Sequence, residues 1–339
     1  MSKIKVLGID LAKNIFQVHG NDENGRCVLQ KKLSRKGLLE FMVNMEPCLI
    51  GMEACGGSNN WARKFRKMGH EIRLISPQFV KPFVKTHKND ARDAEAIAEA
   101  LVRPNMRFVP IKMPWQQEVQ SLHRVRERLI GNRTALVNQS RGFLQEFGRV
   151  LAKGVGQLMA QIPFILEDAQ NELPPLMREI IAHLYQQLKT LKEDIQFCDQ
   201  KIIQIIRSSE LCQRLQEIPG VGPITSSAVS TLDAKAFKNG REFSAYLGLV
   251  PKQRSSGGKN VLLGISKRGN GYLRKLLVHG ARSVLKTAHL KDNRICRWVS
   301  ALEKRRGRNR ACVALANKNA RIIWALMARG ESFRESGGV

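Results

Sequence analysis

The sequence predicts a mixed α/β domain, then a long helical coiled-coil connector, then a mostly α-helical domain. Three observations carry this reading. Short apolar runs alternate with helix-length segments through the first 112 residues. A heptad pattern runs unbroken from Met177 to Ile205. Beyond it the chain opens with the segment IPGVGPITSSAV and carries a Gly/Ser/Lys-rich stretch at 252–271. The expected boundaries are 1–112, 113–208 and 209–335.

In chain order, Ile4, Val6, Leu7 and Ile9 form a mostly apolar strand that ends at Asp10. Asn21 to Gly25 has turn chemistry, and Cys27 to Leu33 suits the returning strand. Leu49 to Met52 is a short buried strand ending at Glu53. Ser58 or Asn59 then caps a helix that stops at Gly69. Ile72 to Ile75 is the next strand, halted by Ser76-Pro77, and a helix follows from about Asn89 to Arg103. Residues 115–150 read as one long basic helix with Val119, Leu122, Val125 and Leu129 on one side. Met177, Ile181, Leu184, Leu188, Leu191, Ile195, Cys198, Ile202 and Ile205 alternate spacings of four and three, which is a coiled-coil seam. Its partner is either the 115–150 helix of the same chain or a second subunit.

Charge narrows the function. Lys and Arg number 57 against 29 Asp and Glu, giving a formal +28. Such a surplus suits a polyanion, because binding to nucleic acid is driven by counterion release, and it sets small-molecule metabolism aside. The field is uneven: between Lys252 and Arg310 there are 17 basic residues against Asp292 and Glu303, whereas the first 110 residues hold 19 basic and 11 acidic. No apolar stretch approaches the roughly 18–20 residues of a membrane span. The N-terminus has no signal-peptide pattern, so a cytoplasmic location is expected. The seven cysteines form no CxxC pair, which argues against zinc clusters and disulfide frameworks.

Four carboxylates stand out by position. Asp10 and Glu53 end strands, where open α/β sheets bind ligands. Asp90 and Asp93 open a helix and share the face of Ala94, Ile97 and Leu101, the face that should pack on the sheet. An N-cap role explains Asp90 alone, but not all four. Buried carboxylates need a partner, and an oxygen-only ligand set selects Mg2+ or Mn2+. Two such ions can activate an attacking oxygen and stabilise a leaving one on phosphate. Lys13 is either a phosphate contact or an ordinary solvated lysine, and His87 either touches phosphate or is a surface residue.

The segments GIDLAKNIF, GMEACGGSNNWA and KNDARDAEAIAEAL resemble the DEDD-type insertion-sequence transposases, a group that includes the Piv-type site-specific DNA invertases. IPGVGPITSSAV, FSAYLGLVPKQRSSGGK and GISKRGNGYLRKLLVHGA extend the resemblance over nearly the whole chain. It implies an RNase H-like (RuvC-like) N-terminal domain whose acidic tetrad is Asp10, Glu53, Asp90 and Asp93. A proofreading-type exonuclease would instead have Asp-x-Glu on the first strand, where this chain has Ala12.

From the residues alone, Gln253 to Lys259 is a flexible basic loop, either a phosphate-contacting turn or only a turn. Lys252, Arg254, Lys259, Lys267, Arg268 and Arg274 are candidate phosphate contacts. The resemblance implies a serine in this run that attacks DNA and holds it as a phosphoserine; Ser256 is favoured, with Ser255 the alternative. Gly220 and Gly222 resemble a helix-hairpin-helix loop that would hold phosphate without reading sequence, or else form a simple helix–helix turn. The resemblance also implies an element-encoded structured RNA that bridges donor and target DNA by base pairing. The expected function is DNA transposase and recombinase chemistry by a homo-oligomer, dimer or tetramer. The alternatives are a Holliday-junction-type nuclease using metal-activated water and a non-catalytic architectural nucleic-acid-binding protein.

Overall fold

The computed structural model describes residues 3–85 and 90–333, with the side chain of Asp90 outside that description; His87 also lies outside the described residues. The chain divides into two compact units, Met1–Pro114 and Trp115–Val339.

Unit 1 is one six-stranded sheet with helices on both faces. The strands β1 (Val6–Asp10), β2 (Ile15–Asn21) and β3 (Cys27–Ser34) form an antiparallel meander. Helix α1 (Arg35–Val43) follows, its first turn capped by Ser34, whose Oγ accepts from the Gly37 amide at 3.1 Å. Strand β4 (Leu49–Glu53) then adds parallel to β1. After α2 (Ser58–Lys67), β5 (Glu71–Ile75) adds parallel to β4. The short α3 (Pro77–Val80) and α4 (Asp90–Leu101) lead to β6 (Phe108–Val109), antiparallel to β5. The spatial order is β3-β2-β1-β4-β5-β6.

The period of two divides the core. Leu7, Ile9, Ile50 and Met52 turn to one face, where they meet Leu38 and Met42 of α1 and Trp61 and Phe65 of α2. Gly8 and Gly51, Cα partners in the parallel register, turn to the other face. There α4 lies on the sheet through the buried Ala94, Ile97 and Leu101. The approach leaves no room for side chains. A Cβ on Gly8 would sit 2.2 Å from the Ala94 carbonyl oxygen, and one on Gly51 would sit 3.0 Å from Ile97.

Unit 2 is helical. It contains α5 (Pro114–Glu146), α6 (Val155–Glu167), α7 (Pro175–Arg207), α8 (Glu210–Gln216), α9 (Pro223–Ser230) and α10 (Gly240–Tyr246). After the strands β7 (Pro251–Ser256) and β8 (Lys259–Ile265) come α11 (Gly271–Thr287), α12 (Arg294–Arg306) and α13 (Arg308–Arg329). The heptad seam of α7 is filled from within the chain. Ile181, Leu184 and Leu188 pack with Leu136, Val137 and Leu144 of α5 and Leu158 and Ile162 of α6. Ile195 and Cys198 pack on Leu129, and Ile202 lies in a cluster with Leu122. Late α7 thus meets early α5, so the two long helices run antiparallel. At the end of the seam Ile206 is buried and Ile205 only half-buried. Arg126 of α5 and Asp199 of α7 add an ion pair at 2.5 Å. The remaining helices enclose a second core around Phe243, Leu273, Leu277, Leu315 and Ile323. Among the described residues no helix is long and apolar enough to cross a membrane.

The flexible loop expected at 253–259 is instead an ordered antiparallel hairpin. Gly257 and Gly258, at φ +56° and +74°, form its two-residue turn. Two successive residues at positive φ match the right-handed twist of the flanking strands, and glycine adopts that geometry without a Cβ clash.

Candidate nucleic-acid-processing site

The acidic positions are set by the same tight contact that seats α4. Asp10 lies two residues beyond Gly8 and Glu53 two beyond Gly51, so both carboxylates leave the sheet on the α4 face. The Ala94 carbonyl rests over Gly8, which places Asp93 beside the strand ends. The electrostatics agree. The carboxyl of Glu53 is raised above the usual carboxylate range, first by burial and then by the negative charges of Asp10 and Asp93. Two residues on, the Cys55 thiol is also raised, by burial and by Glu53 and Asp10. Among the described residues no three His, Cys, Asp or Glu side chains are gathered tightly enough to hold a metal ion by themselves. The fourth expected ligand, Asp90, opens α4, and its side chain lies outside the described residues. Lys13 is exposed in the turn after β1, with its carbonyl accepting from Arg35 at 3.2 Å.

In unit 2, all of β7 is exposed, including Ser255 and Ser256. The register separates the two serines chemically. Ser256 faces Lys259 across the hairpin and shares a side with Arg254, whereas Ser255 faces Asn260 and shares a side with Gln253. Gln253 donates to Ser255 Oγ at 2.9 Å. One face of the hairpin is therefore a serine between cations, and the other a serine among amides.

Around the hairpin, several candidate phosphate contacts have internal duties. Arg274 donates to the carbonyls of Leu247 at 3.0 Å and Arg268 at 2.9 Å, clamping the return from β8 into α11. Lys267 is in the left-handed region at φ +54°, and its side chain and that of Arg268 are exposed. Asn270 caps α11, accepting from the Leu273 amide at 3.1 Å. Gly220, at φ +87°, packs backbone to backbone on Gly280 of α11, and a Cβ on it would meet the Gly280 carbonyl at 2.8 Å. Its small size therefore serves the fold, whereas Gly222 at the start of α9 opens to free space. Lys252, Arg254 and Lys259 are exposed on the hairpin.

The sequence reading missed the two glycines that seat α4 and the hairpin. The signal for the hairpin was present: a Gly-Gly pair between two extended runs marks a two-residue turn. The role of Gly8 and Gly51 has no such local signature, because it depends on what approaches them in space.

With this geometry in place, two family models match. A transposase model of the IS116/IS110/IS902 family matches residues 212–294, and a DEDD transposase model of the IS110 type matches residues 7–148. Over 336 residues the chain is 47% identical to the transposase for insertion sequence element IS1111A of Coxiella burnetii, covering 98% of this chain and 92% of that one. Over 337 residues it is 40% identical to the transposase for insertion sequence element IS1328 of Yersinia enterocolitica, covering 98% and 99%.

Proposed function

Because the chain belongs to the IS116/IS110/IS902 family of insertion-sequence transposases, we propose that it cuts and rejoins DNA through an acidic group in unit 1 and a serine nucleophile in unit 2. The observation that carries this reading is the placement of Asp10 and Glu53 at the ends of neighbouring strands, on the face where α4 brings Asp93; burial first, and then Asp10 and Asp93, raise the Glu53 carboxyl there. Converging carboxylates repel, and the repulsion is a ready source of affinity for a hard divalent cation. The donor set fits Mg2+ or Mn2+, with Asp10, Glu53 and Asp93 joined by Asp90 of the same helix. A bound cation there would polarise the scissile phosphate and lower the pKa of the attacking oxygen. The meander β1-β2-β3 with β4 and β5 added parallel supports the RNase H-like assignment.

Ser256 is the favoured nucleophile. Its Oγ attacks phosphorus, its proton leaves to solvent or an acceptor on DNA, and the 3′ or 5′ oxygen of the cut strand departs. Arg254 and Lys259 on its face would favour both the approaching phosphate and the developing charge, a service Gln253 and Asn260 cannot give Ser255. The phosphoserine bond conserves the energy of the phosphodiester, so rejoining needs no ATP. The mechanism requires the hairpin of one subunit to present this serine to an acidic group, its own or a partner's, in the DNA-bound homo-oligomer. A structured guide RNA bridging donor and target is the partner that the +28 charge accommodates.

The test is covalent. Incubated with element DNA, its RNA and Mg2+, the chain should yield a protein–DNA adduct that survives denaturant. Ser256→Ala should lose the adduct and recombination while keeping DNA binding. An active Ser256→Ala with an inactive Ser255→Ala moves the nucleophile by one residue. A Ser255→Ala/Ser256→Ala double variant that still rejoins DNA refutes the serine mechanism and leaves water attack in its place.

A further inference from the structure

A groove of about 930 Å3 lies in unit 2 between β8 and the helices α12 and α13, and neither the acidic group nor the serines belong to it. Its lining is unusual for a surface cleft. One face of α13 runs along it, presenting Arg310, Val313, Ala314, Asn317, Lys318 and Arg321 at helical spacing. The opposite wall is β8, where Leu262 and Leu263 are 67% and 48% exposed. Trp298 of α12 stands at the side, 37% exposed, with the Lys318 ammonium 4.7 Å from its ring centroid.

Three features need an explanation together. Large apolar side chains are left in water beside cations, and among the described residues no carboxylate lines the groove. Arg308 and Arg310 stand in the first turn of α13, at the positive end of its dipole, where cations are disfavoured. Burial, and after it the charges of Arg294 and Arg321, lower the pKa of Lys318. The repulsion would be relieved by an anion, and the leucines and indole by a flat apolar surface. A nucleotide with an unpaired base supplies both: a phosphate for Arg310, Lys318 and Arg321, and a base to lie on Trp298 and Leu262. Duplex DNA keeps its base faces stacked inside and cannot use the apolar wall. The wall also discriminates by sugar. Of the two asparagines in the lining, Asn317 already donates its amide to Ser244 at 2.6 Å and to the Leu249 carbonyl at 3.2 Å, and Asn309 is exposed beside Arg310 on the cationic side, away from the leucines of β8. A ribose 2′-hydroxyl laid on leucine and valine would lose its water without gaining a partner.

We infer that this groove binds an unpaired stretch of DNA, with a base stacked against Trp298 and its phosphates held by Arg310, Lys318 and Arg321. Binding there is independent of strand cutting.

Fluorescence anisotropy of the full chain with short labelled oligodeoxythymidine, oligouridine and duplex DNA tests it. Trp298→Ala should weaken single-stranded DNA about tenfold, the usual worth of one stacked base, and leave duplex affinity unchanged, which also certifies the fold. Trp298→Phe should restore most of the loss. Lys318→Gln should lower the salt dependence of single-strand affinity by roughly one released counterion. An oligonucleotide carrying 5-iododeoxyuridine should photocrosslink to Trp298. Equal losses on duplex and single strand, no loss at all, oligouridine bound as tightly as oligodeoxythymidine, or crosslinks confined to other residues would each overturn the assignment.

Discussion

At the strand ends of unit 1 the acidic positions are set by α4, which lies so close to the sheet that two glycines are required beneath it. In the serine hairpin of unit 2 every residue of β7 is exposed, and Gly257 and Gly258 of its turn open to free space. Packing fixes the first region before any substrate arrives. The second is ordered locally by its turn and register, and its side chains acquire their surroundings only from a partner. The division suits the proposed chemistry. Carboxylates that hold a hard cation must keep their spacing, whereas a nucleophile that carries a DNA strand to a new site benefits from freedom.

The sharpest way to test this division is catalytic. Asp10→Asn should reduce strand cutting by on the order of a thousandfold, since it removes a charge from a group contributing several kcal/mol. DNA affinity in a gel shift should change little, because the basic surface is intact. A variant that cuts at the normal rate, or cutting that persists in chelator, removes the metal from the mechanism.

The helical core of unit 2 should respond differently from the hairpin. Leu188 is fully buried in the α5–α6–α7 core, so Leu188→Asp should destabilise unit 2 by several kcal/mol. Loss of helical circular dichroism with an unchanged subunit count marks the seam as internal. A drop in mass towards the monomer with the helices intact would mark it as a subunit interface.

Acid should find the same body. His123 is buried between α5, α9 and α11, where its ring nitrogens lie 2.9 Å from the Tyr272 hydroxyl and 3.1 Å from Ser227 Oγ. Burial, aided by Arg126, lowers its pKa from 6.5 to about 4, and burial pushes Tyr272 up to about 12. The unfolded chain therefore takes up a proton near pH 6.5 that the folded chain refuses until about pH 4. Stability from this group is complete above pH 6.5 and falls as pH drops through that window, by up to about 3 kcal/mol. Urea midpoints measured from pH 7 to 4 should show that acid limb, and His123→Gln should flatten it.

The smallest effects compare the glycines directly. Gly8→Ala should cost unit 1 about 1–3 kcal/mol, because a backbone carbonyl occupies the space of the new methyl. Gly258→Ala, at φ +74° with open surroundings, should cost about 1 kcal/mol, confined to the hairpin. Equal shifts in the main unfolding midpoint would erase the distinction between the two regions.

What could be read in advance follows the range of the forces involved. The α7 seam announces itself because its period is a property of one helix, and its burial within the chain agrees with one of the two partners expected for it. The strand-ending positions of Asp10 and Glu53 were equally local, each being the last residue of an apolar run. Arg274 was different: as a sequence residue it is one cation among many, and only the fold turns it towards the carbonyls of Leu247 and Arg268. Gly220 reads in sequence either as a phosphate-holding loop or as a simple helix–helix turn, and neither reading foresees that its lack of a side chain is used against Gly280, sixty positions away in sequence. The hairpin escapes because β7 is polar on both sides and β8 runs Val261-Leu262-Leu263 together, so neither strand has the alternation that betrays a half-buried strand.

The seating of α4 on Gly8 has a dynamic consequence. The one side chain at that contact is the methyl of Ala98, which has no rotamers, so no rotamer change can let strand and helix slide or breathe apart. Separation requires the helix to leave the sheet as a whole, a rare and collective event. Amide protons from Ala94 to Ala98 should accordingly exchange with solvent only through global opening of unit 1, among the slowest in the protein. Those of β7 should exchange within the lifetime of a single hairpin fraying. Deuterium uptake would thus draw, along one chain, the line between a frame that keeps its dimensions and an arm that is free to travel.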